Sequence, residues 1–295
     1  MSASLRQEYR PLLPGKRIET AFLFEAGTVW PSWESVYRIC VEDERFSVRL
    51  ILLSRTTVEV SHQEGAEAFL IEQGLSFERC EDVDFESYCP HVVFMQFPYD
   101  AAFHSPELLS LQFRARGSRV VYIPYGIEIT DTPIGRKDHF NSRVVENAWR
   151  IYTSSDGLRA EYAKYCRNRA AVRVTGSPKF DCVVWSDRYP LSKEIRQNAR
   201  ERRIVVWKIH FPKRSQIDGV VRMVTPDIEE YLRFADCLGN YEDFFFIVLP
   251  HPKLSGKLVA SDHQGDTGLA DAAKELMRRV GFHDNVWVDR SVDYR

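Results

Sequence analysis

Hydrophobic positions along this chain fall into short runs that alternate with stretches of helical periodicity. The first run, IETAFLFEA at Ile18–Ala26, reads as a strand, and SWESVYRICVED reads as a helix starting near Ser32. FSVRLILLS at Phe46–Ser54 is apolar on both faces, as a strand buried inside a parallel sheet must be. Glu64–Gly74 is helical in pattern, with Gly74 as its C-terminal stop. His91–Tyr99 reads as a strand, and Ser105–Gly117 as a helix with Ser105 as N-cap and Pro106 in the first turn. Ser118–Gly126 is the next strand. RVVENAWRIYTSS leads through a helix to a short strand, and a helix over Gly157–Asn168 and a strand entering a turn over Ala170–Asp181 follow. Such alternation is the signature of βαβ units and a parallel sheet.

Ser186–Arg203 is charged and contains a proline, which suits a connection between domains. A second Rossmann-like half then begins, with strand 204–210, a helix near 227–238, strand 244–250, helix 269–280 and strand Asn285–Asp289. Doubly wound domains carry about five or six strands. Three are visible here, so the second domain is expected to be incomplete at its C-terminus. The predicted fold is therefore α/β, with a Rossmann-like domain over 1–188 and a partial one over 189–295.

Composition narrows the function. Apolar residues make up 44% of the chain, enough for packed cores, and the charges nearly cancel to a net −2. A nucleic-acid partner held by a broad basic surface is excluded on that ground, though a local basic pocket is not. The six cysteines form no CxxC pair and no zinc-ligand spacing, and read as reduced, mostly buried thiols of a cytoplasmic protein. The N-terminus lacks the apolar core of a signal peptide, and no run approaches the roughly 20 residues of a membrane span. Contact with the inner face of a membrane as a peripheral protein is left open.

Two strands share a further design. IVVWKIHFPK (Ile204–Lys213) and FFFIVLPHPKL (Phe244–Leu254) each deliver a histidine at the C-terminal end of an apolar run. Ligands of open α/β sheets bind outside the carboxyl ends of the strands. Pro252 disfavours helical geometry at His251 and so holds it at the strand end. His251 with Lys253, and His210 with Lys208, Lys213 and Arg214, are the candidate phosphate and acid–base groups. The competing reading is a half-buried turn histidine for His251 and a surface histidine in a basic loop for His210. Tyr125, Gly126 and Glu128 follow another strand, Gly27–Trp30 a fourth, and Gly176–Ser177–Pro178 form a turn from which Lys179 could reach a ligand. The alternatives are structural turns and solvated charge. No GxGxxG occurs, so a dinucleotide site is not expected. The polar groups of Asp138–Arg143 suit an ordered loop.

Four motifs in order, YIPYGIE (Tyr122–Glu128), VTGSPKFD (Val174–Asp181), VVWKIHF (Val205–Phe211) and VLPHPKL (Val248–Leu254), resemble the CDP-glycerol glycerophosphotransferase family over roughly residues 90–295. The resemblance implies a GT-B plan, two Rossmann-like domains facing a cleft, and metal-independent transfer with no cofactor. The donor would be CDP-glycerol or a related nucleotide donor on the second domain. The acceptor, a cell-surface polymer of teichoic-acid or capsule type or its lipid-linked form, would sit on the first. His251, Lys253, Lys208, Ser177 and Gly176 would hold the donor nucleotide and its phosphates. Tyr125, Glu128 and His210 would carry the proton chemistry. Tyr125 stands where the family commonly has a histidine base. The chain also ends at Val292–Arg295, before the family's Ser-Asp-x-Ser-Ser-like donor loop. Glu128 is the alternative base, because an unperturbed tyrosine has a pKa near 10. These departures support a second reading, a divergent or truncated non-catalytic binding module. A third is a nucleotide-sugar epimerase of the same fold, weakened by the incomplete second half.

Overall fold

The computed structural model describes residues 9–53, 60–100, 105–126, 136, 139–184, 191–210, 214–217, 220–223, 227–251, 254 and 267–289. The chain divides into two compact units, Met1–Ser186 and Asp187–Arg295.

The first unit is built on seven parallel strands: β1 (Ile18–Phe24), β2 (Phe46–Leu52), β3 (Glu78–Arg79), β4 (Val92–Met95), β5 (Arg119–Tyr122), β6 (Arg150–Thr153) and β7 (Val172–Val174). Their order is β3-β2-β1-β4-β5-β6-β7. The winding therefore reverses between β1 and β4, which is the switch point of a doubly wound sheet. The helices with described bounds are α1 (Glu34–Glu42), α2 (Val60–Glu72), α3 (Ser110–Ala115), α4 (Arg143–Asn147), α5 (Asp156–Tyr165) and α6 (Asp181–Val184).

Both faces of this sheet are buried, which explains the unbroken apolar runs. On one face Ala21, Leu23, Val93, Met95, Val120 and Tyr122 pack with Phe113, Val144, Val145 and Tyr162. On the other Phe22, Phe24, Phe94, Val121 and Ile123 pack with Trp30, Trp33, Tyr37 and Phe69. Phe22 and Phe94 stack at 4.2 Å, and Trp33 meets Phe22 edge-on at 5.4 Å.

Several boundaries differ from the sequence expectation. The helix expected near Ser32 begins at Glu34, after a 3₁₀ segment at Gly27–Ser32. The helix expected over Glu64–Gly74 runs Val60–Glu72, and Gly74 has the positive φ of 63° that a glycine stop accepts. β4 stops at Met95, because the next residue, Gln96, turns its buried side chain onto the β1 end. Its Oε1 accepts from the backbone N–H of Glu25 (2.7 Å) and Ala26 (2.9 Å), and its Nε2 donates to the Ala26 carbonyl (3.0 Å). A side chain has replaced the strand ladder. The helix expected over Ser105–Gly117 splits at Leu109, whose ψ of 143° is extended, into a 3₁₀ turn at Pro106–Leu108 and α3. Ser105 does not cap by its side chain. Asp100 serves that role for α3, accepting from the Ser110 N–H at 2.6 Å. Of the expected Asp138–Arg143 loop, Asp138 lies outside the described residues, and Asn141 donates to the Tyr165 carbonyl and accepts from the Arg167 N–H.

At the opposite, amino end of the sheet, buried His91 accepts the Glu19 N–H on Nδ1 at 3.0 Å. Its proton therefore belongs on Nε2, and the ring also bonds the Pro11 carbonyl. Burial, with Arg10 nearby, lowers the His91 pKa.

The second unit holds a three-stranded parallel sheet of order β12-β11-β8, from β8 (Arg203–Ile209), β11 (Phe244–Pro250) and β12 (Val286–Val288). A two-stranded antiparallel hairpin, β9 (Arg214–Ile217) and β10 (Val220–Met223), was not legible in the sequence. The stretch read as a plain connection contains α7 (Lys193–Ala199), capped by Ser192, which accepts the Ile195 N–H at 3.1 Å. The remaining helices are α8 (Ile228–Cys237) and α9 (Thr267–Val280). One sheet face, with Val205, Trp207, Ile209, Phe246 and Val248, packs with Tyr231, Ala235, Ala273 and Leu276 of α8 and α9. The other, with Phe245 and Ile247, packs with Ile195 and Ala199 of α7.

All six cysteines are free thiols, as expected, but only Cys40 and Cys166 are fully buried and Cys237 is exposed. Burial pushes the Cys40 thiol up to about 11, which removes it as a thiolate nucleophile. Among the described residues no helix is long and apolar enough to cross a membrane.

Candidate functional site

In the second unit β8 and β11 pair in parallel with Pro250 opposite Ile209. The ladder continues one step beyond the strands, where the His251 N–H donates to the Ile209 carbonyl at 2.7 Å. That bond sets His251 beside His210, and the two rings lie 4.9 Å apart at 51°. The sequence placed both at strand ends; the register makes them neighbours. His210 is exposed and His251 half-buried.

Side chains alternate along a strand, which puts Lys208 on the same face as His210, and it too is exposed. Leu254, buried, donates its N–H to the His251 carbonyl at 2.8 Å. On the helix side the backbone N–H of His210 bonds the Tyr231 hydroxyl. Burial raises the Tyr231 pKa, and that bond opposes the rise.

Asp289, one residue past β12, extends the same edge, with its N–H on the Val248 carbonyl at 2.9 Å and its side chain buried. Sequence reading had it only as a strand terminus. The available signal was a carboxylate closing an apolar strand. Lys253 and Glu128 lie outside the described residues, as do Lys213 and Pro252.

In the first unit the other candidates collect at the carboxyl ends of the long sheet. Tyr125 follows β5 and meets Phe97, which follows β4, with ring centroids 4.9 Å apart at 56°. The Gly27–Ser32 turn follows β1, and Gly27 packs so closely on the Phe69 ring that a Cβ would collide with it. Gly176, with φ of 89°, turns the chain after β7 so that the 3₁₀ segment Pro178–Phe180 packs on the Gly27–Ser32 turn and on α1. The segment that follows Gly176 and Ser177 thus meets the turn that follows β1 within one unit. Glu25 and Gln96, both buried at the switch point, were missed.

A cavity of 510 Å³ elsewhere in this unit is lined by residues including Cys80, Asp84, Glu86, Glu107 and Arg116. It gathers none of the sequence candidates, and its polar groups are engaged locally. Arg116 donates to the Phe85 carbonyl, Ser105 to Glu107, and Ser87 to Asp84. Among the described residues no group of three or more His, Cys, Asp or Glu side chains is placed to hold a metal ion.

Comparison with solved structures identifies the architecture. The chain superposes on S. aureus MnaA solved with UDP (TM-score 0.58, 11% identity), covering 92% of this chain and 67% of that one. It also matches a UDP-GlcNAc 2-epimerase from Neisseria meningitidis bound to UDP-GlcNAc (TM-score 0.55, 10% identity, 92% and 71% covered). A UDP-N-acetylglucosamine 2-epimerase from Rickettsia bellii matches similarly (TM-score 0.54, 10% identity, 94% and 70% covered). At such identities the likeness defines the fold, and that fold is GT-B-like, with Rossmann-type units. No protein-family model and no curated protein sequence matches the chain. The CDP-glycerol glycerophosphotransferase resemblance therefore rests on the four motifs alone.

Proposed function

We propose that this protein is a GT-B-type enzyme that uses a nucleotide-activated donor, with the donor's phosphates held at the carboxyl edge of the second unit. One observation carries the reading: His210 and His251 end adjacent parallel strands with their rings 4.9 Å apart. A nucleotide donor reacts by breaking its bond to a phosphate, and the leaving group gains negative charge as it departs. Two adjacent imidazoles, with Lys208 on the same strand face as His210, are groups of the kind that take up such charge by hydrogen bonding and positive charge. The acceptor hydroxyl forms the new bond and releases its proton to a base. The sequence candidates for that base are Tyr125, Glu128 and His210. No step calls on a metal or cofactor.

The finer reading, transfer of a glycerophosphoryl or related alditol-phosphate group from a CDP-linked donor to a polymer or lipid-linked acceptor, is supported by the four motifs. A second reading, nucleotide-sugar epimerisation without an acceptor, is supported by the fold comparisons. The two differ in whether a second substrate is consumed.

Calorimetric titration with UDP, CDP, UDP-GlcNAc and CDP-glycerol tests the common core. Binding of at least one is expected, weakened about tenfold by His251→Ala, the scale of a lost contact worth about 1.4 kcal/mol. His251→Gln, which keeps a hydrogen-bonding side chain, should lose less. Unchanged affinity in both variants would remove His251 from the site. Nucleotide binding without turnover in the presence of an acceptor panel would instead establish a binding module. An altered sugar in the absence of acceptor would establish the epimerase.

A further inference from the structure

Parallel pairing brings the amino ends of β1, β4, β5, β6 and β7 to one edge of the first unit's sheet, opposite the strand ends that lead to Tyr125 and to the Gly27–Ser32 turn. The segment Tyr9–Arg17 is tied across that edge. The Arg10 N–H donates to the Gly117 carbonyl at 2.8 Å, and the Arg10 guanidinium bonds the Cys89 carbonyl. Arg119 donates to the Arg10 carbonyl at 3.0 Å, and His91 bonds the Pro11 carbonyl. We infer that this amino edge is a docking surface for a membrane that carries anionic lipid. Leu12 and Leu13 enter the interface, and a collar of arginine and lysine meets the headgroups. The inference is independent of the nucleotide-donor reading.

Charge is the first ground. Residues 9–17, 88–91, 116–119, 147–150 and 167–171, which lead into these five strands, hold eight Lys and Arg and no Asp or Glu. The whole chain carries a net charge of −2, so the excess is local. Arg167 is paired with Glu146 at 2.8 Å, whereas Arg10, Lys16, Arg17, Arg119, Arg150 and Arg169 make no ion pair among the described residues. Arg150, like Arg119, bonds a neutral carbonyl, that of Trp149 at 2.8 Å. Arg119 also lies 5.0 Å from the Tyr9 ring centre, and Arg150 4.4 Å from that of Trp149. Such contacts fix a guanidinium without cancelling its charge. Glu19, half-buried on β1, is the acidic group that acts on His91. The patch ends at β2, whose entry carries Glu42, Asp43 and Glu44.

Shape is the second. The Lys16 N–H donates to the Leu13 carbonyl at 3.1 Å across Pro14–Gly15, and Gly15 has a φ of 73°, which makes a type II turn. The turn leaves Leu12 51% and Leu13 59% exposed, with Arg10 on one side and Lys16 and Arg17 on the other. A fixed apolar tip inside a basic collar suits an interface where acyl chains lie beneath anionic headgroups. A nucleic acid would use the cations and leave the leucines in water. Five adjacent strands set the collar's width at about 19 Å, four spacings of about 4.8 Å, so the cations act over a surface and not at one point. Docked this way, the first unit turns its carboxyl edge to solution.

Vesicle co-sedimentation of the full chain tests this, with phosphatidylcholine alone and in a two-to-one mixture with phosphatidylglycerol. Binding is expected only to the mixture, and it should fall as salt rises above about 0.15 M. Lys16→Ala and Arg17→Ala should each weaken it about fivefold, the scale of one cation near an anionic surface. Leu12→Ser and Leu13→Ser should each weaken it about threefold to tenfold, the scale of a half-exposed leucine. Lys274→Ala removes an exposed cation of the second unit and should leave binding unchanged. All five positions are exposed, so thermal melts should match the wild type and a loss reads as a lost contact. No binding to the mixture, equal binding to neutral vesicles, or an equal loss in Lys274→Ala would each overturn the proposal. Tight heparin binding, with vesicle binding indifferent to both leucine variants, would also overturn it and assign the edge to a soluble polyanion.

Discussion

The two units use the same strand chemistry but bury it differently. In the first, β1 lies between β2 and β4, both faces are packed, and Ala21–Phe24 are wholly inaccessible. In the second, among the described residues, β11 is the only strand of the three-stranded sheet with neighbours on both sides, and β8 lies at its edge. Phe245 and Ile247 are buried there, yet their register partners Ile204 and Val206 on β8 are 43% and 59% exposed. Equal apolar content therefore contributes unequally, because the hydrophobic effect follows the area removed from water and not the residue type. The first unit is a scaffold with rigid strand ends. The second is packed around β11 and places His210 and His251 one residue past the ends of β8 and β11.

The largest expected effect separates the units directly. Phe22→Ala removes a ring packed against Phe94, Trp33 and Tyr37, and should cost the first unit about 3–5 kcal/mol. Denaturant unfolding followed by near-UV circular dichroism should show its transition move while that of the second unit stays. A coincident shift of both would mean that the units unfold as one.

Next in size is Gly27→Ala, whose new methyl meets the Phe69 ring and should cost about 1–3 kcal/mol by overpacking. Gly126→Ala meets nothing and serves as the control.

His91 gives a smaller, pH-dependent effect. Its folded pKa lies below the ordinary value of 6.5 because burial opposes its charge. Above 6.5 both the folded and unfolded forms are neutral, and its contribution is fully present. As pH falls through 6.5 the unfolded chain takes the proton first, and stability is lost until the folded pKa is reached. His91→Gln should flatten this part of the first unit's stability profile. An unchanged slope would assign it to other groups.

The smallest effect is expected at Val206→Thr, within about 0.5 kcal/mol, since the side chain is exposed. A loss as large as that of Ile247→Thr would show that the β8 face is covered in solution.

Much of this was legible because it follows from local chemistry. Runs such as Phe46–Leu52 can satisfy their backbone and bury both faces only inside a parallel sheet, so α/β class and strand order in sequence were readable. The positions of His210 and His251 at strand ends were readable for the same reason. Element ends were less so. β4 ends where a glutamine side chain outcompetes the backbone ladder, and the helix after Ser105 breaks because Asp100, distant in pattern though not in number, captures the Ser110 N–H. The cap at Ser192 turned a stretch read as linker into α7.

By itself the sequence determined which residues can pair as strands, which helices cover them, and that histidines close two of those strands. Only the tertiary structure decided which strands are neighbours. Register placed His210 against His251, strand order placed Glu25, Gln96, Phe97 and Tyr125 at the ends of neighbouring strands, and the turn at Gly176 led the Pro178–Phe180 segment onto the Gly27–Ser32 turn. Neighbourhood across a sheet is a property of non-local pairing, and no local propensity encodes it.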